Sequence, residues 1–301
     1  MPYCDTETMP GPMLSSSPWP QSAVVALLLA VGVSLDAADR LQPTFASEVA
    51  ALEEKIALPL LRVACGMGVR TVTAQGKKAF GCGDGSMDEI LASRYRTRRY
   101  PWMPYVLWEA DGILFGHFLS PTSEDVAINC FACESHPSLW GGTLLLTKKS
   151  GRWEPVWYKA GVITRHCRRV SLATGRQILF CEETDGGMGH SVHGLYIVDF
   201  TKPTFAWHSV VLMADSYSST MFGGVQTQSI DRVSFDETAQ GELLVRIYVR
   251  HGRIKLPLDY ESERLPKPKV SNYEIDFRLN GETLKVTPQS AAAARLFGVR
   301  L

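Results

Sequence analysis

The chain has 301 residues, enough for one large domain or two small ones, and its 45% hydrophobic and 21% charged residues are the mix of an ordinary folded protein. Lys+Arg and Asp+Glu are both 31, so the formal net charge is zero and the whole-chain basic excess of a nucleic-acid binder is absent. No nucleic-acid partner is expected.

Residues 1–22 are rich in Pro and Ser and lack periodicity, which reads as a disordered leader. Ala23–Val33 is a short apolar run ending in Ser-Leu-Asp-Ala-Ala-Asp. It suits the core of a signal peptide and is too short to span a bilayer. The expected cleavage follows Ala37 or Ala38, leaving no membrane span and placing the mature chain in the periplasm or outside the cell. The flank departs from the usual pattern, because no Lys or Arg precedes Arg40 while Asp5 and Glu7 are acidic. Six of the seven cysteines follow the run, an even number that suits disulfides in an oxidising compartment.

The segment 39–104 reads as helical and glycine-rich. Val49, Leu52, Ile56 and Leu60 share one helical face, which predicts a helix over Thr44–Leu61, capped by Thr44 or Ser47 and kinked or ended by Pro59. Residues 69–73 read as a strand. Ser86 to Glu89 is a capping box for a short helix running to about Tyr95. From 105 to 288 the chain reads as strands, at 105–109, 112–119, 125–132, 142–148, 153–158, 167–173, 176–182, 194–200, 205–213, 225–235, 242–250, 271–279 and 282–287. Clusters of Gly, Pro, Asn, Asp and Ser separate them. A turn is expected at Thr174-Gly175 and a longer loop over Thr184–Ser191. Residues 289–301 form a tail with a short helix over Ala291–Leu296, entered through Thr287-Pro288.

Three stretches repeat one order of strand, turn, strand, loop, strand, turn, strand, with second strands starting near Asp125, Arg176 and Glu242. A four-stranded unit cannot bury both faces alone, and stacking such units does. The fold class expected is mainly β, with three or four blade-like antiparallel four-stranded sheets in a small or incomplete propeller, and short N-terminal helices. An open stack or sandwich of the same hairpins is the alternative. The run Asp125-Val126-Ala127-Ile128, Gly142-Thr143-Leu144-Leu145-Leu146 and Trp153-Glu154-Pro155-Val156 resembles the integrin-type, FG-GAP-like β-propeller repeat over roughly 112–288. The family's Asp-x-Asp-x-Asp-Gly calcium loop is absent and Phe222-Gly223-Gly224 is only a fragment of its motif, so its calcium and ligand sites do not carry over.

Arg94, Arg96, Arg98 and Arg99 with Tyr100 and Trp102 form a basic-aromatic cluster suited to a phosphate, carboxylate or sugar acid, or to a solvated helix end. His190 and His193 with Asp185, Glu182 or Glu183 are a candidate metal set, although the glycines around them equally serve tight turns. Cys130-x-x-Cys133 lacks the second knuckle of a zinc site and the helix of a redox motif. Cys167 and Cys181 flank Thr174 symmetrically, which predicts a cross-strand disulfide. The same short-loop logic joins Cys65 to Cys82.

No motif of a serine hydrolase, P-loop or zinc protease is present. The reading is an exported β-repeat protein, without a cofactor, that binds a protein or carbohydrate through loops at one end of its sheets. The alternative is an extracytoplasmic hydrolase or lyase acting on a polymer such as a polysaccharide.

Overall fold

The computed structural model describes residues 43–66, 69–74, 77–82, 109–131, 142–187, 190–202, 210–219, 223–238, 242–257, 266–280 and 283–299. An extended strap over 43–51 ends in β1 (Ala50–Ala51) and leads into α1 (Glu54–Cys65). Then come β2 (Val69–Ala74), β3 (Lys77–Cys82), β4 (Glu109–Gly116), β5 (Asp125–Phe131), β6 (Gly142–Lys149) and β7 (Arg152–Ala160). The second half carries β8 (Cys167–Ser171), β9 (Gln177–Gly187), β10 (His190–Val198), β11 (Val210–Ser219), β12 (Gly224–Glu237), β13 (Leu243–Lys255), β14 (Ser271–Asn280) and β15 (Thr283–Val286). A 3-10 turn at Pro288–Ser290 opens the short α2 (Ala291–Leu296).

The strands are all paired antiparallel, in a seven-stranded sheet (β1 to β7) and an eight-stranded sheet (β8 to β15). The expected four-strand units are present as meanders: β4–β7, β8–β11 and β12–β15. The second and third are not separate sheets. β11 pairs with β12 through Tyr217↔Gln226, Ser218↔Val225 and Ser219↔Gly224, which joins the second and third units edge to edge. That seam has three pairs where β12–β13 has thirteen, so it is the thinnest join in the sheet. Among the described residues neither sheet closes on itself, and β1 pairs with β4 outside the order β2 to β7.

The middle meander is covered on both faces. Ile178, Phe180 and Leu195 share a core with Val233, Val245, Ile247, Ile275 and Phe277 of the third unit. Leu179, Cys181, Tyr196 and Val198, one residue out of phase, share a core with Leu114, Ala127 and Leu145 of the first. Strand pleating alternates the two sets, and this is why β6 and β9 read as unbroken apolar runs. On its other side the first unit buries Ile113, Val126, Ile128, Leu144 and Leu146 against Ala57, Leu60, Leu61 and Ala64 of α1.

The strap laces the leading strand of each unit. Thr44 O accepts from Val233 N in β12, Glu48 N donates to Cys167 O in β8, and Ala50 and Ala51 pair with Ile113 and Gly112 in β4. Ser47 Oγ accepts from Cys167 N at 3.3 Å and Glu48 Oε2 from Arg169 N at 3.1 Å, which satisfies the exposed edge of β8. This corrects the helix expected over Thr44–Leu61. The backbone of residues 44–51 is committed to other strands, so the helix starts at Glu54 and Val49 lies outside it. It then runs through Pro59 to Cys65 rather than ending there.

Most expected strand boundaries hold within a few residues, but β3 was not expected, β11 runs to Ser219 rather than 213 and β13 to Lys255 rather than 250. The loop placed at Thr184–Ser191 is mostly strand, because β9 and β10 stay paired out to Gly187↔His190. The turn at 173–175 is as expected: Ser171 faces Gln177, Gly175 N donates to Leu172 O, and Gly175 takes φ +83°, a conformation glycine adopts freely. Cys167 faces Cys181 and the two form a disulfide with Cα atoms 4.1 Å apart. The flanking bond from Glu182 N to His166 O marks this as a non-hydrogen-bonded site, where opposed strands approach most closely. Cys65 is also disulfide-bonded, while the Cys130 thiol is buried and points at Ile128 O, 3.8 Å away. Among the described residues no helix is long and apolar enough to cross a membrane.

Candidate functional site

The loop after β4, the turn at Ser150-Gly151, the β8–β9 turn and the turn after β10 are brought to one end of the sheets. Asp125, the first residue of β5, organises the first loop. Its Oδ2 accepts from Phe118 N at 2.7 Å, from Leu119 N at 2.8 Å and from the Ser123 hydroxyl. Gly116 is required at the bend, since a Cβ there would meet the Phe118 ring at 2.6 Å. The β8–β9 turn docks onto this loop: Gln177 N donates to His117 O at 2.8 Å, and His117 N donates back to Gln177 Oε1 at 3.0 Å. Buried Arg176 binds Asp199 with both terminal nitrogens, at 2.6 and 3.1 Å. Burial pushes the Asp199 carboxyl up, but Arg176 and Thr201 outweigh it and hold the group below the ordinary aspartate value.

These loops frame an open groove of about 450 Å³, within the size range of small-molecule sites. Phe115 is 44% exposed and lies 6.1 Å from the Trp153 ring. Both line the groove, and Trp153 also packs against the core that α1 covers. Lys148 Nζ sits 5.9 Å over Trp153 and 2.7 Å from Glu124 Oε2. Arg169 Nε donates to Glu48 Oε2 at 2.7 Å and Nη1 to Phe115 O at 3.0 Å. Asp125 also lines the groove; it is 1% exposed, and its Oδ1 has no hydrogen-bond partner.

A second polar cluster is buried where the strap meets the second and third units. Glu182 accepts from Thr44 N at 3.2 and 3.3 Å and from the Thr44 hydroxyl. His166 Nε2 is 3.1 Å from Glu182 Oε1 and 2.9 Å from Phe45 O. His193 Nε2 is 3.4 Å from Glu182 Oε2, an ion-pair distance, and neither of its ring nitrogens makes a well-formed hydrogen bond. Burial pushes the Glu182 carboxyl up; His193, Thr44 and His166 together outweigh it, and the group sits below the ordinary glutamate value. Phe45 fills the adjoining core against His166, Phe180 and Phe235. This is a clasp for the strap.

The candidate metal residues divide accordingly. His190 and His193 are three positions apart on β10 and project from opposite faces. His193 joins the Glu182 clasp, and His190 pairs with Asp215. Asp185 pairs in register with Val192. Among the described residues no three His, Cys, Asp or Glu side chains are placed to hold a metal ion. The Arg94, Arg96, Arg98, Arg99, Tyr100 and Trp102 cluster lies outside the described residues, as do Cys133 and the capping box at Ser86.

The sequence contained part of the signal for the groove. Phe115 and Trp153 were each assigned to strands, but nothing local says that they line one groove. Asp111 is a carboxyl raised above its ordinary value, by burial first, with Arg165 and Asn129 acting against it. It donates no obvious chemistry alone, since its oxygens face Asn129 at 2.6 Å and Arg165 at 3.0 Å rather than a second acid. Comparison with known proteins gives no match: no family model, no curated protein and no solved structure is similar to this chain.

Proposed function

We propose that this is a binding protein that takes its ligand in the groove between the β4–β5 loop, the β8–β9 turn and the Phe115–Trp153 pair. The observation that carries the reading is an exposed aromatic pair set beside charged groups, in a groove whose loops are held by buried Asp125 and Arg176. A site of that kind is concave, partly apolar and furnished with a few fixed polar groups. The hydrolase or lyase reading requires facing carboxylates with displaced pKa values. In the groove, Glu124 is engaged by Lys148 and Asp125 by backbone amides, which favours binding over catalysis.

The test is a screen by protein amide and indole NMR against a mixed library of small acids, amines, peptides and saccharides. Binders are expected to move the Trp153 indole and the amides of Phe115, His117 and Arg169. Phe115→Ala should weaken them by about tenfold or more while changing stability by less than about 1 kcal/mol, because the ring is largely outside the core. Shifts confined to the Arg232–Tyr248 face of β12 and β13 would overturn the assignment.

We also propose export to an oxidising compartment, in keeping with the Cys167–Cys181 disulfide. The three four-stranded units are read as blades of an incomplete propeller of the FG-GAP-like kind, while the edge pairing of β11 with β12 favours the open stack of the same hairpins. N-terminal sequencing of the protein from its host should give a start near Ala38 or Asp39. A cytosolic fraction retaining residues 14–37 would sink the export reading.

A further inference from the structure

We infer that the ligand class of the groove is a neutral oligosaccharide, an inference that rests on the groove being the binding site. The exposed charges around it are already balanced in pairs, while Asp125 is buried and held by backbone amides. Lys148 is matched by Glu124 and Arg169 by Glu48, both at 2.7 Å. A phosphate or carboxylate ligand would have to displace a protein carboxylate, and an amine ligand a protein cation. An apolar peptide would bury both ion pairs against hydrocarbon, which is unfavourable.

The same groups suit hydroxyls. Lys148 keeps ammonium donors beyond the one given to Glu124, Glu124 keeps Oε1, and Arg169 keeps Nη2, whose hydrogens none of its three bonds uses. Donors and acceptors thus alternate along the rim, as adjacent sugar hydroxyls require, since each hydroxyl both gives and takes a hydrogen bond. The aromatic pair supplies the other half. The axial C–H bonds on a pyranose face carry partial positive charge and meet the negative face of Phe115 or Trp153. Only a ligand that is neutral, polyhydroxylated and apolar on one face uses all of these features together.

The experiment titrates the oxidised full-length protein with neutral hexaoses of glucose, xylose and mannose, with a galacturonate oligomer, and with the mixed library above, following the Trp153 indole and the groove amides. At least one neutral hexaose should bind with a Kd of about 1 mM or tighter and shift the groove resonances. Phe115→Ala and Trp153→Leu should each weaken it about tenfold or more. Tyr248→Ala, on the other sheet, should leave it unchanged. Because Trp153 also touches the core beside α1, Phe115→Ala is the decisive variant if Trp153→Leu proves poorly folded. Selective binding of the galacturonate oligomer, or groove shifts produced only by non-saccharide ligands, overturns the saccharide class while leaving the groove in place. Neutral saccharide binding that shifts residues elsewhere, or survives Phe115→Ala, overturns both readings. So does the absence of any binder.

Discussion

Replacing Glu182 by Ala is expected to lower the unfolding free energy by about 3 kcal/mol, the largest single-residue effect proposed for this protein. The carboxylate is 8% exposed and receives the Thr44 amide and hydroxyl, with His166 and His193 beside it. Removing it leaves the Thr44 amide and hydroxyl buried without their acceptor and takes the counter-charge from beside the two histidines. The strap should loosen as a consequence. Amide exchange should rise at Val233, which donates to Thr44 O, and at Glu48, which donates to Cys167 O.

The effect depends on pH, with a defined sign. The folded Glu182 carboxyl lies below its ordinary value, which is about 4.3 in an unfolded chain. Its contribution is therefore full above that unfolded value and is lost as pH falls through the lower folded one. Urea unfolding of wild type and Glu182→Ala should show a constant gap near neutrality that narrows below about pH 4. A gap that stays the same down to pH 2 would show that the carboxylate is not what stabilises the clasp. Equal stabilities at pH 7 would show that the strap is held by its backbone pairing alone.

The second large effect is the loss of the Cys167–Cys181 disulfide. The sequence separation is 14, so the bond closes a loop of about fifteen residues, for which chain entropy gives about 3 kcal/mol. The pair also belongs to the core shared by the first and second units, both cysteines fully buried with Leu179 and Tyr196. The double variant Cys167→Ala, Cys181→Ala should unfold at clearly lower urea than the oxidised wild type. Digestion of the oxidised wild type without reductant should yield one peptide linking the two positions. Superimposable unfolding curves, or linkage of either cysteine to Cys130 or Cys133, would contradict the hairpin register. In that register Ser171 faces Gln177 and Cys167 faces Cys181.

Much of the second sheet was legible in advance. The turn at Ala173–Gly175 and the symmetric cysteines are local features, and one hairpin fixes all of them. The strands of the three meanders follow from short apolar runs and the turn residues between them, which act within a few positions.

The rest was decided by partners far away in sequence. Residues 44–51 carry a helical pattern, yet their backbone groups are taken by β12, β8 and β4, whose hydrogen bonds outweigh a weak local preference. The glycine-rich stretch at 184–187 looks like a loop, but its pairing with β10 keeps it extended. Glu182 and Thr44 are 138 residues apart, and no spacing rule joins them. The groove takes one wall from another unit, where Arg169 reaches Phe115 O. Sequence alone determined the strands, their order within each meander and one disulfide, because those depend on neighbours along the chain. The tertiary structure decided which faces stack, where the strap runs and which side chains converge, because those depend on contacts the chain makes only after it has folded back on itself.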